Sequence, residues 1–192
     1  RPLSSLTLEG GARYERSTIR QSGDGAQERE FAYLKPRALA TWTPGRATTL
    51  RARLERELGQ LDFGDFVTSA NLTTGVVASG NPDLEPDKTW VYELSGERRF
   101  WNTGAVTLTL RHERITDVID RVPIEVIDPD TQETLTFEAP GNIGDGTNNE
   151  LEVDFALPLK RFGVAGGELK ADLTWRVSEL TDPTTGEDRH IS

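Results

Sequence analysis

The side chains with the greatest chemical capacity in this sequence are charged, and they recur at every second residue. In residues 49–58 the apolar positions are Leu50, Ala52, Leu54 and Leu58, and the charged positions are Arg51, Arg53, Glu55 and Glu57; Arg111 and Arg176 occupy equivalent positions in later segments. Fixed charges of both signs on one wall could bind a polar solute or a complementary protein segment. The simpler alternative is that these charges pair with each other or with water, since exposed ion pairs contribute little.

Residues suited to catalysis or metal binding are scarce. His112 and His190 are the two histidines, cysteine is absent, and no Gly-x-Ser-x-Gly motif occurs, so a Ser-His-Asp triad is not predicted. Asp128, Asp130 and Glu133 offer oxygen ligands, but their spacing does not match a calcium-binding EF-hand loop. We therefore predict no enzyme activity, no metal site and no cofactor.

The composition limits the classes of partner. A net charge of −10 argues against nucleic acid, because phosphate binding needs clustered lysine and arginine. Hydrophobic residues make up 35% of the chain, the mean hydropathy is −0.53, and no run of about 18 apolar residues occurs. These values would fit a soluble protein, but a membrane barrel also stays polar on average because only alternate residues are apolar. The chain lacks methionine and begins at Arg1, so we expect a processed or excised piece of a longer protein.

Period-two alternation predicts an all-β fold. In residues 169–177 the odd positions are apolar and include Leu169, Leu173 and Trp175, while the even positions are charged or polar. The same pattern predicts about seven long strands, near residues 6–21, 31–43, 48–61, 89–100, 105–121, 148–159 and 168–180. A small hairpin is expected where residues 124–127 and 134–137 flank a turn. The predicted architecture is an antiparallel up-and-down meander.

The connections between these strands alternate between long and short. The two longest lie near residues 62–88 and 122–146, and tight turns follow residue 43 and residue 101. Transmembrane β-barrels show this asymmetry, whereas a Greek-key sandwich has no reason to sort its loops by length. Aromatic residues lie beside the short connections, as in an interfacial belt: Trp42, Phe100, Trp101 and Phe162. We predict one partial β-barrel domain over residues 1–192.

A second interpretation stays open at this point. A soluble extracellular β-sandwich that binds a ligand through its long loops would show the same alternation. The two architectures differ in what covers the apolar face, because a sandwich buries residues such as Leu151, Leu173 and Trp175 against a second sheet, and a barrel turns them toward lipid.

Two motifs carry a resemblance to a known family. Residues 80–94 read Gly-Asn-Pro-Asp-Leu-Glu-Pro-Asp-Lys-Thr-Trp-Val-Tyr-Glu-Leu, and residues 140–146 read Pro-Gly-Asn-Ile-Gly-Asp-Gly. The first resembles the Asn-Pro-x-Leu-x-Pro-Glu segment and following strand of TonB-dependent outer-membrane receptors, and the second is similar to the Asn-x-Gly stretch before a later strand of the same barrels. Asp87 replaces the usual Glu, and Asn149 the usual Gly.

The resemblance implies a function. It implies part of the C-terminal barrel region of a bacterial outer-membrane receptor, which imports a ferric siderophore, cobalamin or a saccharide with energy from TonB. Its partners would be outer-membrane lipid, the small-molecule substrate, and TonB acting through a plug domain that these residues do not include. We expect substrate contacts from exposed apolar side chains of the two long loops: Phe63, Phe66, Val76, Val77 and Phe137. We expect the charges that face the lumen to contact the plug: Arg51, Arg53, Arg111 and Arg176.

Overall fold

A computed structural model of the chain describes residues 5–21, 27–61, 64, 69–71, 76–78, 81, 83–127, 134–182 and 185–191. Twelve strands are present in these residues. They are β1 (Ser5–Gln21), β2 (Gln27–Gly45), β3 (Thr48–Leu58), β4 (Ser69–Asn71), β5 (Val76–Ala78), β6 (Lys88–Phe100), β7 (Gly104–Thr116), β8 (Ile119–Ile127), β9 (Thr134–Asn142), β10 (Gly146–Pro158), β11 (Glu168–Thr181) and β12 (Asp188–Arg189). A single turn of 3-10 helix, Leu159–Phe162, follows β10. Among the described residues no helix has the length and apolar character needed to cross a membrane.

The main sheet is an antiparallel meander, as the alternation predicts. Its eight strands lie in the order β1-β2-β3-β6-β7-β10-β11-β12, and every neighbouring pair is antiparallel. The hairpins β4-β5 and β8-β9 form separate two-stranded sheets inserted between β3 and β6 and between β7 and β10. Because strand direction alternates, all long connections leave one end of the sheet, here called the loop end, and all short ones leave the opposite turn end.

Several predicted boundaries differ from the structure. The connection between the strands predicted over 6–21 and 31–43 is shorter in the structure, because β1 and β2 remain paired as far as Gln21 and Gln27. Ion pairs between Arg20 and Glu28 and between Arg16 and Glu30 join the two strands in this extension. The strand predicted over 105–121 ends at Thr116, since Asp117 has a positive φ of 60° that interrupts extended backbone. The small hairpin is confirmed but is longer than predicted, because β8 and β9 pair from Ile119 to Ile127.

The register across the sheet gives it one apolar face. Seven consecutive strands align one apolar row: Leu8, Ala40, Ala52, Leu94, Leu110, Leu151 and Trp175. Leu8 is 72% exposed and Trp175 is 70% exposed. A sandwich would bury these side chains, and no second sheet covers them in the part of the chain that the structure describes. The exposed apolar face therefore favours a barrel wall over a sandwich.

The buried side chains lie near the loop end. Phe31 and Leu84 form one small core, against which Tyr33 and Leu61 pack. Val118, Ile143 and Leu180 form a second. Most of this core comes from loop residues or strand ends, so it fixes the approach of the connections and leaves the middle of the sheet to backbone hydrogen bonds.

Aromatic side chains cluster at the turn end. Trp101 and Asn102 have φ values of 49° and 67° in the β6-β7 connection, as a tight hairpin turn requires. The Trp101 ring lies 5.2 Å from that of Phe100 and 6.4 Å from that of Phe162, and the Arg161 guanidinium lies 4.7 Å from its centroid. Trp42 is 46% exposed near the same end. The structure thus places all four predicted belt residues at the turn end of the sheet.

The sheet has open edges, which predicts association of the isolated chain. In the described residues β1 pairs with β2 alone, and β11 meets β12 only at Leu180 and Thr181. Unpaired N–H and C=O groups along such edges favour strand addition. Light scattering of the purified chain in buffer without detergent should therefore show multimers. A stable monomer at high concentration would contradict the open sheet.

Candidate functional site: the polar wall and the loop end

The face opposite the apolar row carries charges of alternating sign. Arg53, Glu93, Arg111, Glu150 and Arg176 are direct register neighbours on five successive strands. Adjacent strands lie about 4.8 Å apart, so the three inner charges, Glu93, Arg111 and Glu150, each have an opposite charge on either side. This row is part of the surface that we call the polar wall.

Hydrogen bonds hold the charges of the polar wall in place. Arg53 donates to Glu93 over 2.7 Å, and the Nε of Arg176 donates to Glu150 over 2.7 Å. Arg111 pairs along its own strand with Glu113 over 2.5 Å. The Nε groups of Arg53 and Arg111 are buried and have no hydrogen-bond partner among the described residues. The charges of the wall are therefore largely paired with one another.

The four arginines predicted for this wall all lie on it. Arg53, Arg111 and Arg176 share one register row, as described above. Arg51 lies two residues nearer the turn end and approaches Glu97 only to 4.0 Å. Its side chain is 47% exposed, so solvent weakens this pair. Three of the arginines thus form one row and Arg51 lies apart from them, and their contact with a plug stays a prediction.

At the loop end, Asn142 ties the two long connections together. Its Nδ2 donates to the carbonyl oxygens of Glu85 and Asp117, each over 2.8 Å, and its Oδ1 accepts from the Glu85 amide over 2.8 Å. Lys88 joins the same two residues through their carboxylates, at 2.9 Å from Glu85 and 2.6 Å from Asp117. We call Asn142, Lys88, Glu85 and Asp117 the loop-end latch.

The motif at residues 81–87 builds one half of this latch. Asn81 Oδ1 accepts from the Asp83 amide over 2.9 Å, which forms a local turn. The turn directs Leu84 into the core, where it is fully buried. Asp87 then lies against Gly59, where an added Cβ would come within 1.6 Å of a carboxylate oxygen. Burial raises the pKa of Asp87, although its own backbone hydrogen bond acts in the opposite direction.

Sequence reasoning did not assign a contact role to Asn142, Lys88 or Asp117. Asn142 belongs to the second motif and Lys88 to the first, so the signal that could have found them is the pair of motifs itself. Their joint role required knowing that the ends of β3, β6, β7 and β10 meet at one end of the sheet.

A second ion-pair cluster joins β12 to β8. Arg189 donates to Asp120 over 2.6 Å and pairs with Asp182 at 3.1 Å. Burial by itself raises the pKa of Asp120, but hydrogen bonds from Arg189 and from the Arg121 amide outweigh it and lower the pKa below its ordinary value. The carboxylate form of Asp120 is thus the one that the fold stabilises.

The predicted loop contacts are placed only in part. Phe63 and Phe66 lie outside the described residues. Val76 and Val77 belong to β5, where they pair with Asn71 and Ala70. Phe137 belongs to β9 and pairs with Ile124. These residues belong to two different loop-end hairpins, and their contact with a substrate stays a prediction.

Metal binding has no support in the described geometry. Within the described ranges no group of three or more His, Asp or Glu side chains is arranged to hold a metal ion. Asp128, Asp130 and Glu133, which follow β8 in the sequence, lie outside the described residues.

Comparison with known families assigns the sheet to one of them. A family model described as "TonB dependent receptor-like, beta-barrel" matches residues 2–189. The chain belongs to this family. A search of curated proteins found no match. The resemblance carried by residues 80–94 and 140–146 is therefore confirmed, and membership in this receptor barrel family supports an outer-membrane receptor and transport role. The family is one of transport receptors rather than enzymes.

The latch predicts a specific effect of Asn142→Asp. The carboxylate would still accept from the Glu85 amide but could not donate to the two carbonyl oxygens, and it would repel them. We expect the free energy of local opening to fall by about 2 kcal/mol. Hydrogen exchange at the amides of Glu85 and Ile143 would report this change. Asn102→Asp at the turn end is the control, and equal protection in both variants would exclude the latch.

The Asp120 pair predicts acid release of β12. Because the folded pKa of Asp120 lies below its ordinary value of 3.8, the stabilisation is present above that value and is lost as pH falls through the folded pKa. The hydrogen-exchange protection factors in residues 185–191, which are corrected for the intrinsic pH dependence of amide exchange, should therefore fall when the pH falls below about 4. Asp120→Asn should remove this pH dependence, and Glu187→Gln should preserve it. A profile unaffected by Asp120→Asn would contradict the assignment.

Proposed function

We propose that this chain is a section of barrel wall in a receptor that imports a scarce solute, a ferric siderophore, cobalamin or a saccharide, with TonB-derived energy. The observation that carries the proposal is the sheet with two different faces, an exposed apolar row on one and the polar wall on the other. Such a sheet suits lipid outside and water inside. The family match supports the same assignment.

The proposed orientation puts the loop end outside the cell. Outer-membrane β-barrels have long external loops and short periplasmic turns. The connections near 62–88 and 122–146 would then meet the solute first, through Phe63, Phe66, Val76, Val77 and Phe137. Exposed apolar residues on long loops are suited to ligand contact.

The polar wall would face the lumen and the plug. The charges of the wall are already paired across strands, so a plug or solute need not neutralise them to be admitted. The guanidinium groups of Arg53 and Arg111, whose side chains are partly exposed, could donate to carbonyl or carboxylate groups of the plug. Arg51 and Arg176, which are more exposed, would act through their field. TonB would act on this wall only through the plug.

Loop replacement in the receptor that contains this chain tests the proposal. Residues 63–79 would be replaced by a Gly-Ser linker, and residues 124–137 by an Asn-Gly turn between the paired residues Pro123 and Glu138. Both designs keep the four latch residues and the core residues Leu84 and Ile143. We expect uptake and binding to be lost while the barrel still inserts, as shown by its electrophoretic mobility with and without heating.

Thr103→Ala in the β6-β7 turn is the control for handling and insertion, and it should leave uptake unchanged. Uptake that persists after both replacements would show that transport does not require the loop contacts. It would leave the plug and the polar wall as the candidate contacts for the solute.

A further inference from the structure

The turn end of the sheet carries an excess of positive charge. Its short connections and the strand ends beside them, residues 43–48, 97–104 and 158–170, contain six cations and two acids, although the whole chain has a net charge of −10. The cations are Arg46, Arg98, Arg99, Lys160, Arg161 and Lys170. Positive charge gathered at one end of the sheet attracts anions to that end.

The two acids of the turn end, Glu97 and Glu168, already have basic partners. Glu97 accepts from Arg99 over 2.5 Å, and Glu168 lies 3.2 Å from Lys170. Each acid lies an even number of residues from a charge of the polar wall on its own strand, so both pairs lie on the face of the polar wall. The other four cations of the turn end form no salt bridge in the part of the chain that the structure describes.

Two of these four cations line a cavity between the β6-β7 and β10-β11 connections. The cavity has a volume of about 430 Å³, and its lining includes Trp101, Pro158, Lys160 and Arg161 but no acidic residue. The Arg161 guanidinium lies over the Trp101 ring, and this cation–π contact positions it at the cavity. The Lys160 ammonium donates to no group among the described residues. The cavity therefore offers an anion two cations that no carboxylate of its lining neutralises.

The cavity lies at the edge of the apolar face. Trp101 contacts the ring of Phe100, and the Phe100 ring lies 6.4 Å from that of Phe155. Phe155 lies four residues from Leu151 of the apolar row on the same strand, so these rings continue the apolar face down to the cavity. Phe162 is 63% exposed on the other side of Trp101. The aromatic rings mark the level at which the apolar surface ends, and the two cations lie at this level.

Arg98 is a further cation on the apolar face itself. It pairs in register with Val106, and Val106 pairs with Phe155, so an arginine shares a row with two apolar residues. Its guanidinium donates to the hydroxyl of Thr48 over 2.5 Å. An arginine on a surface that faces lipid is stable only where its charge reaches the level of the head groups. Arg98 therefore places head groups at the turn end, independently of the cavity.

We propose that the turn-end cavity binds the phosphate of an anionic phospholipid through Lys160 and Arg161, with the acyl chains along Phe100 and Phe155. This inference rests on the proposed exposure of the apolar face to a membrane. A lipid fits better than a free anion, because the cations border aromatic rings that continue the apolar face. It fits better than an acidic protein segment, because Arg98 needs head groups at the same level. In the proposed orientation, this lipid belongs to the periplasmic leaflet.

Photocrosslinking tests the proposal in the receptor that contains this chain. Photoreactive benzoylphenylalanine would replace Phe162, beside the cavity, or Leu173, in the middle of the apolar face. The receptor would be placed in phosphatidylcholine bilayers with increasing fractions of phosphatidylglycerol, and mass spectrometry would identify each adduct. We expect position 162 to capture phosphatidylglycerol well above its share of the bilayer. Position 173 should capture both lipids in proportion to their shares.

Three variants locate the site. Lys160→Gln with Arg161→Gln should lower the phosphatidylglycerol enrichment at position 162 by roughly 30-fold, from the usual contribution of two basic residues at a membrane surface. Arg56→Gln with Arg114→Gln removes two cations from the loop end and is the matched control, which should leave the enrichment intact. Lys160→Arg keeps the charge of the cavity and should also preserve it. Electrophoretic mobility with and without heating checks that each variant inserts.

The outcomes separate this inference from the proposed function. If neither position captures lipid, the apolar face does not meet lipid and the membrane assignment itself fails. If position 173 captures lipid but position 162 captures protein, a protein covers the turn end and the lipid site is excluded. Capture of the two lipids at position 162 in proportion to their shares, or an enrichment that survives Lys160→Gln with Arg161→Gln, would also exclude the site while the membrane assignment stands.

Discussion

Cross-strand register is the constraint on which the rest of the structure depends. Each strand places successive side chains on opposite faces, so seven strands share an apolar row only if every pair is aligned correctly. The alignment of Leu94 with Leu110 and of Leu110 with Leu151 also sets Glu93 beside Arg111 and Arg111 beside Glu150. A slip of one residue in any pair would carry charge into the apolar face and break the ion pairs of the wall.

The two ends of the sheet are built differently. At the turn end, tight connections surrounded by aromatic rings fix the pairing of adjacent strands. At the loop end, the connections are long and are held by a small core around Leu84 and Ile143 and by the Asn142 latch. The middle of the sheet buries few apolar side chains. Its stability therefore depends on the backbone hydrogen bonds between strands and on the match between each face and its solvent. Loops can therefore vary beyond the latch without disturbing the strands.

The strands and the polarity of their two faces could be predicted from the sequence, but the contacts between the loops could not. Alternation over residues 169–177 predicts β11 well, since a period of two is a local property of the chain. The ends of strands were less predictable: Asp117 interrupts a run that reads as strand, and the β1-β2 pair extends into residues that read as loop. Asn142 was beyond prediction as a latch, because its partners Glu85 and Asp117 are distant in sequence and meet only after the sheet has formed.

The central claim is that the two faces of the sheet meet two different solvents, and a nitroxide scan along β11 tests it most directly. The chain contains no cysteine, so a single cysteine at each position from 169 to 177 can be spin-labelled without background in this region. In bilayers, accessibility to oxygen should peak at the odd positions and accessibility to a water-soluble nickel reagent at the even ones, both with a period of two and opposite in phase. Two profiles in phase with each other, or without a period of two, would contradict the account.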